Sequence, residues 1–137
     1  MESHDINRLL IMGNSMGGHG AILLGTILKA EQIIAFSPQI DLSIDFLERI
    51  GDRRWEAKMN EINTIGFDYL DLSQLDMSYS DVRIFYDGSE DLDRQHVSLI
   101  ESHKGITAED VRVGGHATAF ALAKSGEVAR VLRSYLK

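Results

Sequence analysis

The sequence has no cysteine. That removes disulfide cross-links, thiolate nucleophiles and cysteine-bound zinc or iron–sulfur centres. A single proline excludes a proline-rich linker. No apolar run approaches the ~20 residues of a membrane-spanning helix. The start, MESHDINR, carries acidic residues where a secretory leader has a basic region and then an apolar one. The expectation is a cytoplasmic protein without a membrane segment. Basic residues are the minority, 14 Lys plus Arg against 21 Asp plus Glu, for a net charge of −7. That argues against a broad nucleic-acid or anionic-membrane surface.

What is present fits one globular domain. The chain has 137 residues, 44% of them apolar and 26% charged, enough for one hydrophobic core and too few for two. Apolar runs predict strands at 9–12 (LLIM), 32–36 (QIIAF), 82–86 (VRIFY) and 110–113 (DVRV). The first two lack strict alternation, as expected of parallel strands buried on both faces. Helical patterns cover 18–29, 93–102 and 127–136. Strand and helix alternate, which predicts an α/β fold with a parallel sheet of about four strands. The stretch 40–79 breaks this rhythm and is too long for an ordinary connection. It reads as a helical insertion over the C-terminal end of the sheet. Its Trp55, Phe67 and Tyr69 either close a pocket or fill the insertion's own core.

The chemical signal is Gly13-Asn14-Ser15-Met16-Gly17, a G-x-S-x-G pattern lying where an apolar strand ends and a small-residue helix begins. A sharp turn there lifts the Ser15 hydroxyl above the sheet edge and crowds strand against helix, so small residues are expected at 13 and 17. The helix N-terminus directs its free N–H groups at the serine, and the Met16 N–H would donate to a developing oxyanion. Two other loops are excluded. A P-loop needs Lys after its last Gly, and a dinucleotide loop needs glycines at other spacings.

From GNSMGGHGA, IIAFSPQ, VRIFYDGSEDLDRQH and VGGHATAF, the chain resembles the C-terminal part of an α/β-hydrolase. The AFSPQ and LDRQH pieces resemble, more narrowly, hydrolase-like proteins of bacterial surface-polysaccharide contexts. The resemblance implies a serine, an acid and a histidine in that chain order. Ser15 matches the nucleophile and His116 the histidine. The acid is Asp91, which has the wider family's G-x-x-D spacing, or Asp93, which fits the narrower group and is preferred. The chemistry asks for the same roles, because a serine hydroxyl needs an imidazole base whose other nitrogen is held by a carboxylate. Of the remaining histidines, His4 lies in a frayed terminus, and His19 and His103 read as surface residues. His96 with Asp93 makes only half a metal site, so neither metal nor cofactor is expected.

The resemblance also implies that the N-terminal strands of the fold are missing, and with them a second oxyanion donor. The first strand is then left with an open edge, which is a pairing hazard. A homodimer through that edge, or residues 1–7 folded back, would cover it. The expected function is a serine hydrolase of esters or thioesters. Acyl transfer by the same triad and a non-catalytic binding or assembly module are the alternatives.

Overall fold

The computed structural model describes Ile6 and residues 8–136. His4 and all of residues 1–7 except Ile6 lie outside the described residues. Strands β1 (Leu10–Asn14), β2 (Gln32–Phe36), β3 (Asp81–Tyr86) and β4 (Ile106–Asp110) form one sheet in the order β1-β2-β3-β4. All three pairings are parallel. Each strand pairs with the next one in sequence, the common arrangement for parallel strands joined by crossovers.

Helices cover both faces. Along β2, Ile33 and Ala35 point to one side and Ile34 and Phe36 to the other. The first side packs on Ala21 and Ile22 of α1 (Met16–Ile27) and on Val97 of α4 (Asp91–Ser98) together with Ile100. The second packs on Leu122 of α5 (Thr118–Lys124) and Val131 of α6 (Glu127–Tyr135). Ile33, Ala35, Val82 and Ile84 have no exposed surface. This double burial is why the apolar runs do not alternate in the sequence. Among the described residues no helix is long and apolar enough to cross a membrane.

The fourth strand starts earlier than expected, at 106 and not at 110. Gly105, at φ 86°, turns the chain in, and its carbonyl accepts from Val82 N–H at 2.8 Å. Arg112, at φ 52°, turns it out again, so the valines at 111 and 113 lie beyond the strand's end. The β-prone spelling of DVRV is overridden by these two turns.

The 40–79 stretch carries α2 (Ile44–Ile50) and α3 (Glu56–Ile65). Ser43 caps α2 through Phe46 N–H, and Gly51 ends it at φ 71°. Leu42 N–H to Leu70 O at 2.8 Å and Leu72 N–H to Ile40 O at 3.0 Å tie the two ends of the stretch together. Its own core is Leu42, Phe46, Leu47 and Met59, with Met16 packed against it. Trp55, Phe67 and Tyr69 are all exposed, so the reading in which they fill this core is wrong.

Candidate active site

Parallel strands bring their C-terminal ends to one edge, and the loops there carry the site. Ser15 stands between β1 and α1 at φ 55° and ψ −121°. Positive φ in a residue with a Cβ is strained, and it persists only where neighbours fix it. Here Ser15 N–H donates to Phe36 O at 2.9 Å, and Ser15 O accepts from His19 N–H at 3.1 Å. A Cβ on Gly13 would lie 2.0 Å from the Gly17 carbonyl oxygen, so glycine is obligatory there. At Gly17 a Cβ would meet nothing within 4 Å. The crowding expected on both sides of the serine therefore acts on Gly13 alone.

Ser15 Oγ lies 2.8 Å from His116 Nε2. His116 sits in a short 3-10 turn, Gly115–Ala117, after β4. Its Nδ1 is 2.8 and 2.9 Å from the two Asp93 oxygens. Contact with both carboxylate oxygens places the ring proton on Nδ1, leaving Nε2 to accept from Ser15. Asp87, at the end of β3, braces the histidine turn by accepting from Gly115 N–H at 2.9 Å. The Ser89 hydroxyl and the Gly115 and Ser89 amides hold the Asp87 carboxyl below its usual range.

The acid is Asp93. Its carboxylate is 1% exposed, whereas that of Asp91 is 64% exposed and pairs with Arg94. Helical geometry separates them: Asp93, His96, Val97 and Ile100 share the buried face, and Asp91 lies off it. Asp91 is therefore no part of the line, and of the two carboxylates only Asp93 meets His116.

Sequence reasoning missed Arg54, which reaches in from the loop between α2 and α3. Its Nη1 donates to Asp93 Oδ1 at 2.7 Å. Nε and Nη2 donate to Asp52 at 2.9 and 2.7 Å. Nη1 is also 2.9 Å from His116 Nδ1; both are donors, so what they share is the Asp93 carboxylate. Beyond Asp52, at 3.1 Å, lies His96 Nε2. His96 Nδ1 accepts from Ile40 N–H at 3.1 Å, so the His96 proton is on Nε2 and points at Asp52. This spends the His96 ring inside the fold, away from any ligand. Burial pushes both carboxyls up, but the bonds from His116 and Arg54 hold Asp93 below its usual range. Those from His96 and Arg54 do the same for Asp52. Burial would lower the Arg54 guanidinium, and its two carboxylates raise it instead. No spacing in the sequence ties Arg54 to Asp93, 39 positions on.

Met16 opens α1. As the first residue of a helix its N–H has no intrahelical acceptor, which suits it to an oxyanion. His19 departs from the surface reading. It is 4% exposed, and its two nitrogens lie 2.8 Å from Gln39 O and 2.9 Å from Tyr69 O. Burial pushes this imidazole down, against the pull of the two carbonyls.

No family model matches the chain, and no curated protein does. Among solved structures, a lipase-esterase related protein from Clostridium acetobutylicum ATCC 824 is similar, with a TM-score of 0.55 and 21% identity. The match covers 93% of this chain and 65% of that one. At this identity the likeness is one of fold, and the chain spans 65% of the length of that relative. The chain has a partial α/β-hydrolase-like fold, and Ser15, His116 and Asp93 stand at its sheet edge in the geometry of a Ser-His-Asp triad.

Proposed function

We propose that the protein is a serine-dependent hydrolase of carboxylic esters or thioesters. The observation that carries this is the unbroken line from Ser15 Oγ through His116 to Asp93. Ser15 Oγ attacks the carbonyl carbon while His116 Nε2 takes its proton. The oxyanion that forms accepts from Met16 N–H. The imidazolium is held by Asp93, itself fixed by Arg54. Collapse of the intermediate expels the alcohol or thiol, which takes the proton from Nε2. Water, deprotonated by the same nitrogen, then releases the acid from Ser15. None of these steps calls on a cofactor.

In this reading residues 40–79 are a helical insertion within a single domain, and they deliver Arg54 to the triad. A sugar hydroxyl in place of water would make the reaction an acyl transfer. The outer edge of β1 is unpaired among the described residues. Leu24 and Ile27 of α1, Leu28 after it, and Met12 of the strand are exposed. A second copy covering this surface would make a homodimer, measurable by light scattering; a wild-type monomer at low micromolar concentration would remove that part of the reading.

A fluorophosphonate probe with an intact-mass readout tests the chemistry. One adduct on the wild type, none on Ser15→Ala, and a much slower adduct on His116→Ala are expected. A folded wild type that takes no label would defeat the hydrolase reading in favour of a non-catalytic module.

A further inference from the structure

Beside Met16 a cavity of about 280 Å³ opens that the triad does not explain. Met16, His19, Gly20 and Leu23 form one wall, spaced as neighbours on a single face of α1. Ile62 and Phe67, among others from the 40–79 stretch, form the opposite wall. His19 turns its ring nitrogens toward backbone carbonyls, 2.8 and 2.9 Å away, and not into the cavity. The rest of the lining is apolar side chains and Gly20.

Gly20 is the second observation. Glycine weakens a helix interior, so each glycine of α1 needs a cause. At Gly18 a Cβ would lie 2.9 Å from the Pro38 Cβ, and at Gly25 2.4 Å from the Ile33 side chain. Close packing accounts for both. At Gly20, as at Gly17 in the first turn, a Cβ would meet nothing within 4 Å, and of the two only Gly20 lines the cavity. Packing of the chain on itself does not require glycine there.

We infer that this cavity binds the acyl chain of the substrate, an unbranched apolar chain of about six to eight carbons. The inference rests on the ester-hydrolase reading of Ser15. Length and volume agree on the size. Met16 to Leu23 spans about 10 Å at ~1.5 Å per residue. A methylene fills roughly the volume of a water, ~30 Å³, so the space takes at most about nine carbons. The acyl side is chosen over the alcohol side by position. Met16, which follows Ser15 and carries the proposed oxyanion donor, forms part of the cavity wall, so the cavity adjoins the carbonyl that Ser15 attacks. The leaving group must stay beside His116 Nε2, and no residue of the His116 turn lines the cavity.

Binding is measured first, without catalysis, by titrating the wild type with octanoate and with acetate. Octanoate should bind at least 10-fold tighter than acetate, and Gly20→Leu, which fills the cavity from a helix-compatible position, should abolish the difference. Hydrolysis of nitrophenyl esters from acetate to dodecanoate follows. Specificity (kcat/KM) should rise about 100-fold from two to eight carbons and then fall. Gly20→Leu should move the optimum down by two to four carbons. The size of the rise follows from ~0.8 kcal/mol per buried methylene, about 4-fold each, realised in part. Wild-type labelling of Ser15 by ethyl against octyl fluorophosphonates repeats the comparison without a variant. Equal octanoate and acetate affinity, or labelling that ignores chain length, overturns the acyl site while leaving the triad intact. Octyl acetate preferred over nitrophenyl octanoate would assign the cavity to the alcohol instead and equally overturn it. Octanoate binding without any labelling or turnover keeps the cavity and removes the hydrolase reading.

Discussion

Replacing Arg54 by Met keeps an unbranched stem, two atoms shorter, and removes the cation between two buried carboxylates. Asp52 is 0% and Asp93 1% exposed, and Arg54 gives them three hydrogen bonds of 2.7 to 2.9 Å. Losing one partner of such a cluster leaves uncompensated buried charge, which costs about 3–5 kcal/mol. For a chain of this size that corresponds to a fall in Tm of roughly 10 °C, at about 3 °C per kcal/mol. The pH dependence carries a definite sign. Both carboxyls are held below their usual range in the fold. Their stabilising contribution is thus complete above the unfolded value of ~3.9 and is lost as pH falls through the lower folded values. In Arg54→Met burial raises the bare carboxyls, so they are relieved by protonation at higher pH than in the wild type. Urea unfolding at pH 7 and pH 3 should show a gap of about 4 kcal/mol narrowing to ~1 or less. A gap below ~1 kcal/mol at pH 7, or one unchanged at pH 3, would refute the view that Arg54 compensates buried charge.

Asp93→Asn should lower ester turnover by about 10³–10⁴-fold, the loss that accompanies a wrongly held imidazole tautomer, while Asp91→Asn stays within 2-fold of wild type in the same assay. Ser15→Gly should abolish turnover and raise stability by about 1 kcal/mol in denaturant titration, since glycine relieves the positive φ; a destabilised variant would contradict the strain at the turn. Gly13→Ala should destabilise by more than ~3 kcal/mol or fail to fold on thermal melting, because its Cβ would strike the Gly17 carbonyl.

The sheet and two triad members were legible because each is written in contiguous residues. LLIM and QIIAF are short apolar runs between helical patterns, and a parallel sheet is the arrangement that buries both of their faces. GNSMG names its own turn because backbone crowding acts within five residues, as Gly13 against Gly17 shows. His116 is placed by a loop that follows the last strand. The acid was half legible. Val97 and Ile100 mark the buried face of α4, and extending that face back one turn reaches Asp93 and passes over Asp91. Such a helical count, applied to the acidic cluster, resolves the choice without coordinates. The fourth strand was misplaced because Gly105 and Arg112, both at positive φ, set its limits against local β preference. Arg54 and Asp52 could come only from the tertiary structure. Their partners lie 39 and 44 positions along the chain, and a charged loop residue looks the same in sequence whether it meets water or a buried carboxylate. The chain itself thus determines whatever depends on neighbours within a turn or a strand. Packing the 40–79 stretch against the sheet edge decides which charges are desolvated, because burial is a property of the whole fold and not of any segment of it.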